Sequence, residues 1–309
     1  MEKCDIRIGY IGIGSMGAPI ARFLFDKGFD ITVHDIRSEA MSPFEKDGVK
    51  TAVTLEDLVA KTDCIMICVE GDYQLTKLIT GADGILKYSR PGQILIVQTT
   101  CKISTVQQLW HAAAAEGVKL IDAPVNGNFE DRCNGTLAVY VGGSSETVTY
   151  CQPLLNVIGA NGKKVMHLGP VGYGELAALI NASVTVAHTV ATLEGMKLGR
   201  VNGISEEKVC QICKMGSGRN YSTDHWPYFD ELMKSHRLGP AMCRNDRKDM
   251  LDTAASAMTK GIFMAMIAGF GELTEKVYYE RAEYLTERDG YDYPKEMPFV
   301  LEDVFGTVK

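Results

Sequence analysis

Three glycines carry the most specific chemistry in this sequence. Gly12, Gly14 and Gly17 stand in G-x-G-x-x-G spacing, between a short apolar run (Ile6, Ile8, Tyr10, Ile11) and a helical pattern (Ile20, Ala21, Phe23, Leu24) that ends near Gly28. In a phosphate-binding turn the three play different parts. Gly12 permits the tight turn, Gly14 lets a pyrophosphate approach the backbone, and Gly17 lets the helix pack close to the strand. The helix start then offers free N–H groups and a positive dipole end. Ser15 and Met16 lie on the same turn, where they can touch a dinucleotide. A second apolar run, residues 30–34, ends at Asp35. A carboxylate there accepts both ribose hydroxyls of NAD and repels the 2′-phosphate of NADP. Arg37 pulls the other way, because a guanidinium just past the strand can pair with that phosphate. The expected cofactor is NAD rather than NADP.

These residues need a frame to hold them. Strand-like runs fall at residues 7–11, 30–34, 64–69, 94–98 and 119–122, with weaker ones at 137–141 and 165–168. Helical patterns separate them near 55–59, 73–79 and 105–116, and Gly71-Asp72, residues 81–84 and Pro91-Gly92 are turn signals. The alternation predicts an α/β Rossmann domain, a doubly wound, mostly parallel sheet with helices on both faces. The carboxyl ends of its strands bring Val69, Glu70, Thr99 and Thr100 to the cofactor. After about Gly169 strand signals vanish. A long helical pattern runs from Gly172 to Gly199, and further ones follow at 205–214, 227–234, 243–259 and from 261 to 279 or beyond. The expected domains are therefore residues 1–168, binding the dinucleotide, and 169–309, a helical substrate and oligomerisation domain that begins with a long interdomain helix.

Composition narrows the partners. A chain of 309 residues, 46% hydrophobic and 23% charged, suits two soluble domains. A net charge of −7 without a long basic cluster argues against nucleic acid. Nine cysteines lie without a paired framework, several of them (Cys64, Cys68) in apolar strand-like runs, which suits a reducing cytoplasm. Cys210 and Cys213 are read as two residues one helical turn apart, and no metal site is expected. Glu2, Lys3 and Asp5 precede the first strand, so no leader is expected. Residues 176–193 carry no formal charge and approach the minimum spanning length. Asn181, Ser183, Thr185, His188, Thr189 and Thr192 within them indicate a buried helix of a soluble protein, not a membrane segment.

Larger motifs add to the glycine turn. Residues 9–19 match G-x-I-G-x-G-x-M-G-x-P, and Thr99-Thr100 stands for a Ser-Thr pair. Asp122-Ala-Pro-Val125, then Gly135-Thr-Leu137 and Gly142-Gly143, match D-A-P-V-S-G-G…G-T-L…G-G, and Gly172-x-Gly174 leading to Asn181 matches G-x-G-x-x-x-K-x-x-N-N. Gly218-Arg219 and Lys248-Asp249 are further matching patches. On these motifs nearly the whole chain resembles the β-hydroxyacid dehydrogenases, relatives of 6-phosphogluconate dehydrogenase. The resemblance implies an NAD(P)-dependent dehydrogenase or reductase acting on the CH–OH of a small anionic substrate such as a 3-hydroxy acid, assembled as a homodimer or homotetramer. It implies that Thr100, Asn126, Gly127, Asn128, Asn181 and Arg219 meet substrate, and that Lys248 lies near the nicotinamide end of the cofactor.

The departures bear on mechanism. The family lysine that polarises the carbonyl and moves the hydroxyl proton falls on Ala178, and the second Asn of N-N on Ala182. Ser-Gly-Gly reads Asn126-Gly127-Asn128, and the small pair before G-T-L reads Asp131-Arg132. Acid–base assistance is worth ~10²–10⁴-fold, so another group supplies it or the substrate does without it. Positions three apart share a helix face, which puts Glu175 and Asn181 beside Ala178. Glu175 serves as acid or base if burial raises its pKa. Tyr173, on the loop before the helix, offers a phenolic proton, and Lys248 is the remaining ammonium with a family match. Arg132, new in the substrate loop, is expected to hold a substrate carboxylate, unless it only pairs with Asp131 beside it. Two other readings stand beside the dehydrogenase: an imine reductase of the same architecture, and a catalytically silent dinucleotide-binding protein.

Overall fold

The computed structural model describes residues 6–227. β1 (Arg7–Ile11) leads into α1 (Gly17–Asp26), and β2 (Asp30–His34) into α2 (Ser38–Lys46). The alternation continues through β3 (Lys50–Thr51), α3 (Leu55–Lys61), β4 (Cys64–Ile67), α4 (Gly71–Thr80), α5 (Ile85–Tyr88), β5 (Ile94–Val97) and α6 (Ile103–Ala115). β6 (Lys119–Asp122), β7 (Val125–Asn126), α7 (Phe129–Asn134), β8 (Ala138–Gly142), α8 (Ser145–Ile158) and β9 (Val165–Gly169) complete the sheet, and α9 (Tyr173–Val201), α10 (Glu206–Met215) and α11 (Tyr221–Asp224) follow.

Among the described residues the sheet has nine strands in the order β3-β2-β1-β4-β5-β6-β8-β7, with β9 beside β8. β3 through β6 pair in parallel, whereas β8 runs antiparallel to β6 and β7. This is the expected doubly wound, mostly parallel sheet. The order turns back between β1 and β4, so their carboxyl ends flank the crevice where such sheets bind ligands. β4 and β5 are buried along their whole length, as strands covered on both faces must be. Alternate side chains feed separate cores: Cys64 and Met66 of β4 join Ile20 and Leu24 of α1, while Ile65 and Ile67 join Leu75 and Ile79 of α4. Period-two alternation thus produces the two faces directly.

Three local expectations are corrected. Gly71-Asp72 opens α4 rather than forming a free turn, with Gly71 entering at φ 68°. α2 and α8 are absent from the sequence reading, and each contains a proline, Pro43 and Pro153, the residue that ordinarily marks a break. The stretch read as a buried helix is only partly covered: α9 buries Leu179, Leu193 and Met196 but exposes Ile180 and Val184. Apolar residues surround this helix, and burial on one side leaves the others outward. It is long and apolar enough to cross a membrane, by length and composition alone.

Contacts divide the chain into Met1–Ala178 and Leu179–Lys309, a boundary inside α9, where the sequence reading places the change at residue 169. In the second unit, α9 and α11 are joined by Thr189 to Ser222 and by Thr192 to Asn220. The helical patterns expected at 243–259 and 261–279, and nearly all of 227–234, lie outside the described residues.

Candidate functional site

The β1–α1 turn gives the three glycines three surroundings. Gly12 sits at φ 88°, and a Cβ there would run into the Cys68 carbonyl at the end of β4. A Cβ on Gly17 would strike the Gly12 carbonyl, so helix and strand meet without a spacer. A Cβ on Gly14 would clash with nothing, touching only Arg37 Nη2 in ordinary contact at 3.9 Å. No side chain caps α1. Ser15 is exposed and Met16 half-buried on the same turn. Beneath it Tyr10 donates a buried hydrogen bond to Gln98 Oε1 (2.7 Å), a strut that the sequence reading missed.

Asp35 ends β2 with its carboxylate buried. One oxygen accepts the Ile13 N–H (3.0 Å) and the other the Arg37 N–H (3.0 Å), and the Arg37 guanidinium spans both (Nε 3.0 Å, Nη2 3.2 Å). Burial works to raise its pKa, but the Arg37 side chain and the two backbone N–H groups outweigh that and hold it below the ordinary value. An anionic Asp35 in this position fits a ribose diol where the Arg37 guanidinium yields its two bonds to the hydroxyls. The unobstructed approach to Gly14 and the uncapped helix start fit a pyrophosphate. At the ends of β4 and β5, Thr99 Oγ1 accepts the Val69 N–H (2.9 Å), so its hydroxyl ties the two strands together, while Glu70 and Thr100 are exposed.

The loop expected to meet substrate is more committed than its sequence suggests. Asn126 ends β7, Gly127 follows, and Asn128 caps α7 by accepting the Asp131 N–H (2.9 Å), while Asp131 accepts the Asn128 N–H (3.0 Å). Asp131 also accepts from the Thr136 hydroxyl (2.8 Å). The expected alternative of an Asp131–Arg132 pair is therefore not what forms. Arg132 instead donates to the carbonyls of Ser15 (2.5 Å) and Asn128 (3.3 Å).

The start of α9 is held by two buried acids. Asp122 accepts the N–H groups of Gly172 (2.8 Å) and Glu175 (2.9 Å), and burial raises its pKa over their opposition. Glu175, with no exposed surface, accepts the Cys101 N–H at Oε2 (3.0 Å) and leaves Oε1 without a partner. Burial lifts its pKa well above the ordinary value, against the Cys101 N–H and with help from the Asp122 charge. Glu175 is thus a sealed carboxylic acid in the first turn of α9, and its burial disfavours the ionised form. The sequence offered no signal for Cys101 or for this use of Asp122. Ala178 is buried one turn on, Asn181 is half-buried in the second unit, and Tyr173 is exposed. Arg219 pairs with Asp224 (3.0 Å). Lys248 lies outside the described residues. Cys210 and Cys213 are free, and no metal-ligating cluster occurs among the described residues.

Known proteins agree with this geometry. Residues 7–169 match the family model described as the NAD binding domain of 6-phosphogluconate dehydrogenase. The chain is 29% identical over 224 residues to an NAD-dependent L-serine dehydrogenase of Pseudomonas aeruginosa, covering 72% of this chain and 74% of that one. It is 30% identical over 217 residues to the mitochondrial 3-hydroxyisobutyrate dehydrogenase of Rattus norvegicus, covering 70% of this chain and 64% of the rat protein, so it spans just under two thirds of that relative. A solved Mycobacterium tuberculosis 3-hydroxyisobutyrate dehydrogenase with L-serine shares the fold at a TM-score of 0.74 and 22% identity, over 90% of this chain and 94% of that one. With the glycine turn, the carboxylate after β2 and the strand order already in place, these matches show that the chain belongs to the β-hydroxyacid dehydrogenase family and carries its NAD-binding Rossmann domain.

Proposed function

We propose that the protein is an NAD(H)-dependent oxidoreductase that moves a hydride to or from the carbinol carbon of a small 3-hydroxy acid. The observation that carries it is the clash-free Gly14 turn joined through Ile13 to the buried Asp35 carboxylate, at the point where the strand order turns back. NAD, when bound, supplies or accepts the hydride. The chain's own residues bind and orient. Asp35 takes the adenosine ribose, the turn N–H groups take phosphate, and Val69 and Glu70 frame the crevice. Thr100, Asn126 and Gly127 are assigned to the substrate.

Proton handling has no lysine to rely on. Asn181 and Glu175 share the Ala178 side of α9 by helical spacing. Asn181 is assigned to hold the substrate hydroxyl. Glu175 is assigned as a proton store, because burial favours its protonated form and only Oε2 is engaged, as acceptor of the Cys101 N–H. A second reading is favoured by Ala178 itself: an iminium substrate needs only hydride, and an alanine suits it.

Restoring the ammonium separates the readings. Ala178→Lys is expected to raise kcat for NAD+-dependent oxidation of L-serine or 3-hydroxyisobutyrate by ~10²-fold or more. NADH titration confirms that the variant still folds and binds. Turnover of cyclic imines alone by the parent protein, lost in Ala178→Lys, would establish imine reduction instead. NADH binding with no turnover of either class would leave a silent binder.

A further inference from the structure

We propose that Arg132 holds the pyrophosphate of the bound dinucleotide, rather than the substrate carboxylate. The assignment rests on the NAD-binding reading of the glycine turn and deepens it.

The side chain is placed on that turn. Its Nη1 donates to the carbonyl of Ser15, between Gly14 and Gly17, and its Nε donates to Asn128. Charge makes the placement unusual. Arg7, Arg22, Arg37, Arg90 and Arg219 each sit on an aspartate. Arg132 sits on two carbonyls, and no carboxylate pairs with it among the described residues. The acid next to it in sequence, Asp131, is turned to Asn128 and Thr136. A guanidinium with donors to spare is thus stationed on the turn assigned to the two phosphates, and its planar fork matches phosphate oxygens.

The station is rigid. The Asn128–Asp131 capping box fixes the start of α7. Gly135, left-handed at φ 63°, ends α7 so close to α1 that a Cβ would overlap the Phe23 ring. The Phe129 ring also lies 5.5 Å from the Arg132 guanidinium carbon. The charge is felt across the crevice as well. Burial pushes the Cys68 thiol, at the end of β4, up to about 11, and Arg132 is the leading influence that opposes it.

Titration calorimetry of the full chain with NADH, ADP-ribose and adenosine tests the assignment. Arg132→Ala is expected to weaken NADH and ADP-ribose by roughly tenfold to a hundredfold. Adenosine, which has no phosphate, should be unaffected. Arg132→Lys should recover part of the loss and Arg132→Glu deepen it. Equal weakening of adenosine would make Arg132 a structural prop and overturn the proposal. So would unchanged NADH affinity with a raised KM for an anionic substrate, which would return Arg132 to the carboxylate. Failure of the parent protein to bind NADH would instead remove the NAD reading, and this assignment with it.

Discussion

Gly12 and Gly14 differ in what surrounds them, and the difference can be measured. Gly12 combines a left-handed φ of 88° with the Cys68 carbonyl directly over it. Gly12→Ala is therefore expected to cost ~1–3 kcal/mol of stability, read by urea unfolding. A Cβ at Gly14 would meet only Arg37 Nη2, in ordinary contact at 3.9 Å, so Gly14→Ala should leave the unfolding curve nearly unchanged yet weaken NADH by roughly tenfold, or ~1.4 kcal/mol. Equal losses of stability would show that the turn serves folding alone. The glycine turn and Asp35 were legible because spacing encodes them. Arg132 was legible as a charge but not as a contact, because Ser15 lies far from it in sequence. Glu175 was legible by helical spacing, while its burial depends on Cys101 and Asp122, which only the folded sheet brings to it.

At the scale of elements, α7 has six residues and no buried side chain, so packing does little to hold it. Its order comes from the reciprocal Asn128–Asp131 bonds. Asn128→Ala is expected to remove about 1 kcal/mol and to weaken NADH, because the Arg132 tether starts from this turn. Asn128→Ser, which restores a capping oxygen, should recover both in unfolding and binding assays. The strands of the parallel half were legible as apolar runs between turn signals, since burial on both faces leaves little else to vary. α7 was not legible, because its cap is made by residues that also fit a substrate loop. α8 carries an internal proline and is held by a buried face of Val148, Cys151, Leu154 and Leu155 instead.

For the molecule as a whole, two buried acids make stability depend on pH. Folded Glu175 keeps its proton well above 4.5, where the unfolded chain has released it, and Asp122 behaves likewise above 3.8. The unfolded state then binds fewer protons, so stability falls as pH rises. Glu175→Gln removes one of the two contributions, and its urea-unfolding free energy should fall less than that of the parent protein between about pH 5 and about pH 8. Parallel curves would show that Glu175 ionises in the fold as it does outside. The Asp35 carboxylate has a different consequence. Through Ile13 it grips the first βα turn, and through Arg37 it grips the second. The two turns that are proposed to flank the adenosine are stapled together before any guest arrives. On that proposal, capture of a dinucleotide asks for little ordering of these two turns, and the entropy ordinarily lost in fixing them is already surrendered during folding.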